Sequence, residues 1–136
     1  MTSRASWAHL RDRREWAFAE RSKRLADSLD EHDRGVVYLT ADPGKMPSSL
    51  GGVIVISGAP FWLTGGSLFD QLYPLRIPIR ILHVADPPLP FRPLVSKVSF
   101  MKNRINWGAL LQGQAARKLD ESDYESLVCA LCGGKL

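Results

Sequence analysis

The segment Gly51-Gly52-Val53-Ile54-Val55-Ile56-Ser57 shows no alternation of polar and apolar side chains. A strand with aliphatic residues at successive positions buries both faces, so it belongs inside a sheet covered on two sides. The remaining chain has to supply its neighbours. Val36-Val37-Tyr38-Leu39-Thr40, β-branched and aromatic and opened by Gly35, is one predicted strand. Asp42-Pro43-Gly44 turns the chain between the two. A longer strand follows Tyr73-Pro74, where Leu75, Ile77, Ile79 and Ile81 alternate with Arg76, Pro78, Arg80 and Leu82. Period two sends the aliphatics inward and predicts both arginines outward. Pro78 has no N–H for a ladder, which predicts an edge strand or a bulge.

Helical patterns flank these strands. Ser6 is placed to cap a short helix running to Arg14, with Trp7 and Leu10 on one side. A second helical stretch covers residues 20–29, with Leu25 and Leu29 one turn apart among charges, and Trp16-Ala17-Phe18 between the two has no helical pattern. Helices this short and charged are marginal alone, so they have to pack on the strands. Pro87-Pro88-Leu89-Pro90 reads as a rigid connector, and Pro93 opens one or two helical turns ending at Val98. Asp120-Glu121-Ser122-Asp123 gives a final helix an acidic start, and Tyr124, Leu127, Val128 and Leu131 form its buried stripe. The expected fold class is α+β, a small barrel or strongly curled sheet with helices closing its ends.

At 136 residues the chain makes one domain, and 45% apolar residues suffice for one modest core. Its longest nearly apolar run, residues 50–63, is interrupted by Gly and Pro and falls short of the roughly 20 residues of a membrane helix. The start has no apolar signal segment, and two cysteines cannot frame a disulfide scaffold. A cytoplasmic protein with no membrane partner is expected. The net charge of +4 is unevenly placed. Residues 71–118 carry Arg76, Arg80, Arg92, Lys97, Lys102, Arg104, Arg117 and Lys118 against Asp86 alone. A block of one sign predicts a surface that meets phosphate, the alternative being a solvated basic face.

Catalytic and metal motifs are missing. Gly44-Lys45 lacks the other positions of a P-loop, with Leu39 at the first Gly and Met46 where Ser or Thr belongs. His9, His32 and His83 stand apart from any second ligand, and no Gly-x-Ser-x-Gly occurs. Cys129-Ala130-Leu131-Cys132 is a lone CxxC within the last helix, which favours plain helix-end thiols over zinc. The expectation is a non-catalytic chain with no metal and no cofactor.

What remains is aromatic. Trp7, Trp16, Trp62 and Trp107 sit near loops or element ends, where a single such ring is more often a lid on the core than a ligand platform, but interleaving of these rings with basic residues suits nucleic acid. The stretch from Pro90-Phe91-Arg92-Pro93 through Lys97, Ser99-Phe100-Met101-Lys102-Asn103-Arg104 and Trp107-Gly108 closely resembles the "PxPFxPLxxKLSFIKNKxxWG" signature of EVE domains, members of the PUA-like superfamily. Trp16-Ala17-Phe18, Asp33 to Tyr38, Gly51-Gly52-Val53, Tyr73 to Ile77 and Leu119 to Val128 resemble further family segments in the same order. The resemblance spans residues 1–136 as a single domain, with Ala17 where the family has Gly. Only Met1 and Thr2 stand where the family has most of a first strand before Ser3, so that strand is expected to be truncated.

The resemblance implies a PUA-like curled barrel that reads a modified nucleobase, chiefly modified cytosine in DNA, in an aromatic pocket. The related YTH domains read methylated adenine in RNA. By position, Trp16 and Trp62 would sandwich the base, Thr2 and Ser3 would touch its polar edge, and Asn103 would lie at the rim. Arg80, Arg92, Lys102 and Arg104 would meet phosphate. Any cleavage would come from a separate effector such as a nuclease. The alternatives are a reader of modified bases in RNA and a protein-interaction module with an incidental basic face.

Overall fold

The computed structural model describes residues 4–41, 47–97 and 119–133. Thr2, Ser3, Lys102, Asn103, Arg104 and Trp107, and the motif around them, lie outside the described residues. The fold is α+β, a curled antiparallel sheet with helices packed on it. Its elements are α1 (Arg4–Arg13), β1 (Glu15–Phe18), α2 (Lys23–Asp27), β2 (Arg34–Leu39), β3 (Ser49–Ile56), β4 (Phe61–Trp62), α3 (Leu68–Leu72), β5 (Leu75–Pro90) and α4 (Glu121–Cys132). Short 3-10 turns at Glu20–Ser22 and Arg92–Lys97 complete them.

β3 is buried at every residue and lies between β2 and β5, as its two-sided hydrophobicity requires. The strand order is β1-β5-β3-β2, with β4 paired to β5 as well. β5 is the spine of the sheet. Its first residues run between β1 and β4, and the remainder pairs with β3 through two register shifts. Of the two outcomes expected from Pro78, the edge position is corrected to an interior strand, while the irregularity is present as the two register shifts against β3. Pro78 fits because its carbonyl still accepts the Ser57 N–H at 3.0 Å, and Ile79 N–H resumes the ladder on Arg14 O at 3.0 Å. The predicted connector at Pro87 to Pro90 is likewise sheet, since Leu89 pairs with Leu50 and Pro90 with Ser49.

The N-terminal helix runs from Arg4, so Ser6 lies inside it rather than capping it. Trp16-Ala17-Phe18, which had no helical period, has the strand period instead, with Trp16 and Phe18 buried. The helix predicted over residues 20–29 divides into the 3-10 turn and α2, where Ala26 is fully buried and Leu25 and Leu29 pack at the core margin. One core lies between α1, β1, α2 and the sheet. A second gathers Leu50, Phe91, Leu94 and Leu127 where α4 and the last 3-10 turn cover the other face. The predicted stripe of α4 is present, with Leu127 and Val128 buried and Gly133 in the left-handed conformation closing the helix.

Trp7 ties α1 to the sheet across two glycines. A Cβ on Gly51 would stand 2.9 Å from Trp7 Nε1, and one on Gly52 would overlap the His83 carbonyl and approach Trp7. Gly52→Ala is therefore expected to lower the unfolding free energy by about 1–3 kcal/mol, because the obstacle is backbone. Urea denaturation checks this, and an unchanged midpoint would mean that β3 and β5 separate freely there.

Candidate functional site

β5 carries an aromatic neighbour on each side at its first residues. Trp62 on β4 pairs with Leu75, and Phe18 and Trp16 on β1 pair with Leu75 and Ile77. Directly paired residues share a face of the sheet, and residues two apart on a strand share it too. Trp16 and Trp62 thus occupy one face, on the two strands that flank β5. From strand spacing and rise their Cα atoms are about 12 Å apart.

The two tryptophans differ in setting. Trp62 is 48% exposed, whereas Trp16 is 9% exposed and its ring meets that of Trp7 at 6.2 Å. Trp7 is itself buried, under the guanidinium of Arg11 at 5.4 Å. Trp16 and Trp7 are core, and Trp62 is the open ring. The expected pair is brought to one face, but only one member presents its ring to solvent.

The opposite face at the same position holds an ionic knot. Arg76 was predicted to point outward into water, and it does leave the inner face, yet it is fully buried. α3 lies over it. Arg76 Nη2 donates to Asp70 Oδ1 at 2.5 Å, Nη1 to Glu15 Oε1 at 3.1 Å and Nε to the Tyr73 carbonyl at 2.9 Å. Its guanidinium stacks 5.5 Å from the Phe69 ring centroid. Arg13 from α1 adds Nη1 to Asp70 Oδ2 at 3.4 Å and Nε to Glu15 Oε1 at 3.5 Å, and His9 Nε2 stands 3.6 Å from Asp70 Oδ1.

Asp70 has a second task. Its Oδ2 accepts the Ser67 N–H at 3.2 Å while its own N–H donates to Ser67 Oγ at 3.3 Å, a capping box that starts α3. Burial alone would raise the Asp70 pKa. The Arg76 hydrogen bond, the Ser67 backbone bond and the charges of Arg76 and Arg13 outweigh it and lower the value to about 2. The knot was missed in the sequence because nothing local pairs Arg76 with Glu15. The legible signal was Ser67-x-x-Asp70 behind Gly65-Gly66, which reads as a helix start.

The proposed phosphate contacts are dispersed. Arg80 is exposed on the face opposite Trp62, in a row with Val55 and Arg34. Arg92 is exposed beyond the other end of β5, roughly 20 Å away along β3 by strand rise. Lys102, Arg104 and Asn103, with Thr2 and Ser3, fall outside the described residues. Cys129 and Cys132 are free thiols in the last turns of α4, and burial pushes the Cys132 thiol up. Among the described residues no cluster of three or more metal-binding side chains occurs, and no helix is long and apolar enough to cross a membrane.

No family model matches the chain. It is similar to a UPF0310 protein of Pyrococcus abyssi (strain GE5 / Orsay), 25% identical over 133 residues and covering 92% of each chain. It is also similar to a UPF0310 protein of Pyrococcus horikoshii, 22% identical over 135 residues, which span 92% of this chain and 91% of the relative.

Two outcomes test the knot. Arg76→Leu leaves Asp70 and Glu15 with only the longer contacts of Arg13 and is expected to cost about 3–5 kcal/mol of stability, read by urea denaturation. Asp70 binds its proton less readily folded than unfolded, so its contribution is full above pH 4 and is lost as pH falls toward 2. Denaturation midpoints measured across that range should drop in the parent chain and drop less steeply in Asp70→Asn.

Proposed function

We propose that this chain is a PUA-like module of the EVE type that binds nucleic acid and reads a modified base, with modified cytosine in DNA as the base class. It acts by binding rather than catalysis, in the cytoplasm, and an effector such as a nuclease would supply any cleavage. The observation that carries this reading is the register of Trp16 and Trp62, on one face and on the two strands flanking β5.

Trp62 serves as the stacking ring, and Trp16, backed by Trp7, forms the fixed wall. A base withdrawn from a duplex loses a few kcal/mol of stacking and pairing, and each aromatic face returns roughly 1–3 kcal/mol. In this reading Thr2, Ser3 and Asn103 meet the base edge, and Arg80, Arg92, Lys102 and Arg104 meet phosphates. Those contacts make affinity fall with salt. RNA is the alternative ligand on the same chemistry.

Fluorescence anisotropy with matched duplexes bearing plain, 5-methyl and 5-hydroxymethyl cytosine, and with the corresponding RNA, tests the proposal. A modified duplex should bind tightest. Trp62→Ala should remove that preference, by roughly 10–100-fold, with unfolding changed by no more than about 0.5 kcal/mol. Trp16→Ala is a poor substitute, because removing a buried Trp costs about 3–5 kcal/mol of fold. Equal binding of all duplexes by the parent chain would overturn base reading.

A further inference from the structure

The exposed large hydrophobics among the described residues are Phe61, Trp62, Leu68, Leu72 and Tyr73, all within one short stretch of chain. Between Pro47 and Leu75 the only Asp, Glu, Lys or Arg is Asp70, and its carboxylate is buried on Arg76 and Arg13. This stretch therefore presents no exposed charge of its own; the cations on the same face are Arg13, partly exposed beside Asp70, and Arg80, exposed farther along β5.

The sheet divides the five side chains. Phe61 pairs with Arg76 and so stands on the face covered by α3, opposite to Trp62. Phe69 lies over Arg76, and Tyr73 meets the Phe69 ring at 5.0 Å. Leu68 and Leu72 are one turn apart on α3 and are 72% and 57% exposed. Phe61, Leu68, Leu72 and Tyr73 thus form a patch around α3, separate from the Trp62 face.

We propose that this α3 patch is the contact between two copies of the chain in a two-fold dimer. Four side chains exposed to this degree present roughly 400 Å² of apolar surface, at the size where a monomer's largest patch is usually functional. A standard interface buries about 800 Å² per partner, a little over half of it apolar, so the patch supplies most of the apolar part needed. None of the four side chains carries a charge, so neither phosphates nor a charged peptide finds an ionic partner on them. A second copy offers the matching neutral, apolar surface. A two-fold axis brings the Leu68–Leu72 stripe against its own image.

The patch lies on the other face of β4 from Trp62, so the dimer leaves the stacking ring uncovered, while it shares its sheet face with Arg80. Sedimentation of the full chain, from micromolar to sub-millimolar concentration and at low and high salt, tests it. The expected result is a concentration-dependent doubling of mass that persists at high salt, where binding to phosphate weakens. Leu68→Lys with Leu72→Lys, both at exposed positions, should leave the circular dichroism unchanged and return the mass to that of one chain. A monomer at all concentrations overturns the proposal, as does a dimer that survives both substitutions. A monomeric parent chain whose duplex binding is lost in the double variant also overturns it, in favour of a nucleic-acid face.

Discussion

The structure depends on a guanidinium taken out of water. Arg76 is fully buried, and each of its three nitrogens donates to a different segment: Nη2 to Asp70 of α3, Nη1 to Glu15 of β1, and Nε to the Tyr73 carbonyl just before β5. A cation in that position is tolerable only if its partners are all present together, because desolvation costs several kcal/mol per ion. The two ends of the chain segment from β1 to β5 are thus held to one geometry. Arg13 extends the same constraint to α1, since it reaches both Asp70 and Glu15.

This constraint is what arranges the two surfaces at the head of the sheet. With α3 held down over Arg76, β4 has room for two paired residues alongside β5, and its pleat sends Phe61 to one face and Trp62 to the other. The Trp62 face continues into the core through Leu75, Ile77 and Trp16. The Phe61 face continues onto α3 through the Phe69 and Tyr73 rings. Neutralising Asp70 internally also leaves no exposed charge on α3 itself.

Much of the fold was legible. β3 announced itself by consecutive aliphatics, β5 by alternation, and α4 by an acidic start and a stripe at helical spacing. These are local signals, set by the period of the side chains. The failures share a cause. Trp16 and Phe18 alternate over four residues, too few to distinguish a strand from a helix end. Pro78 left an edge and a bulge both open because its missing donor was legible, while the neighbouring bonds from Ser57 and to Arg14, which hold it inside the sheet, were not. Of the aromatic site, the residue types were readable, but Trp16 could not be known to lean on Trp7 rather than face a ligand.

By itself the sequence determined the class of fold, the central strand, the interior side of β5 and the final helix, because hydrophobic period acts within a few residues and needs no partner. It also picked out the aromatic and basic side chains from which the proposed site is drawn. Only the tertiary structure decided which of those side chains meet solvent. Arg76 and Arg80 obey the same alternation and share a face, yet one is buried beneath α3 and the other is exposed. Trp16 and Trp62 have the same ring, yet one is core and the other open. Solvent exposure is set by what packs on top, and the residues that cover Arg76 and Trp16 come from elements that no local spacing connects to them.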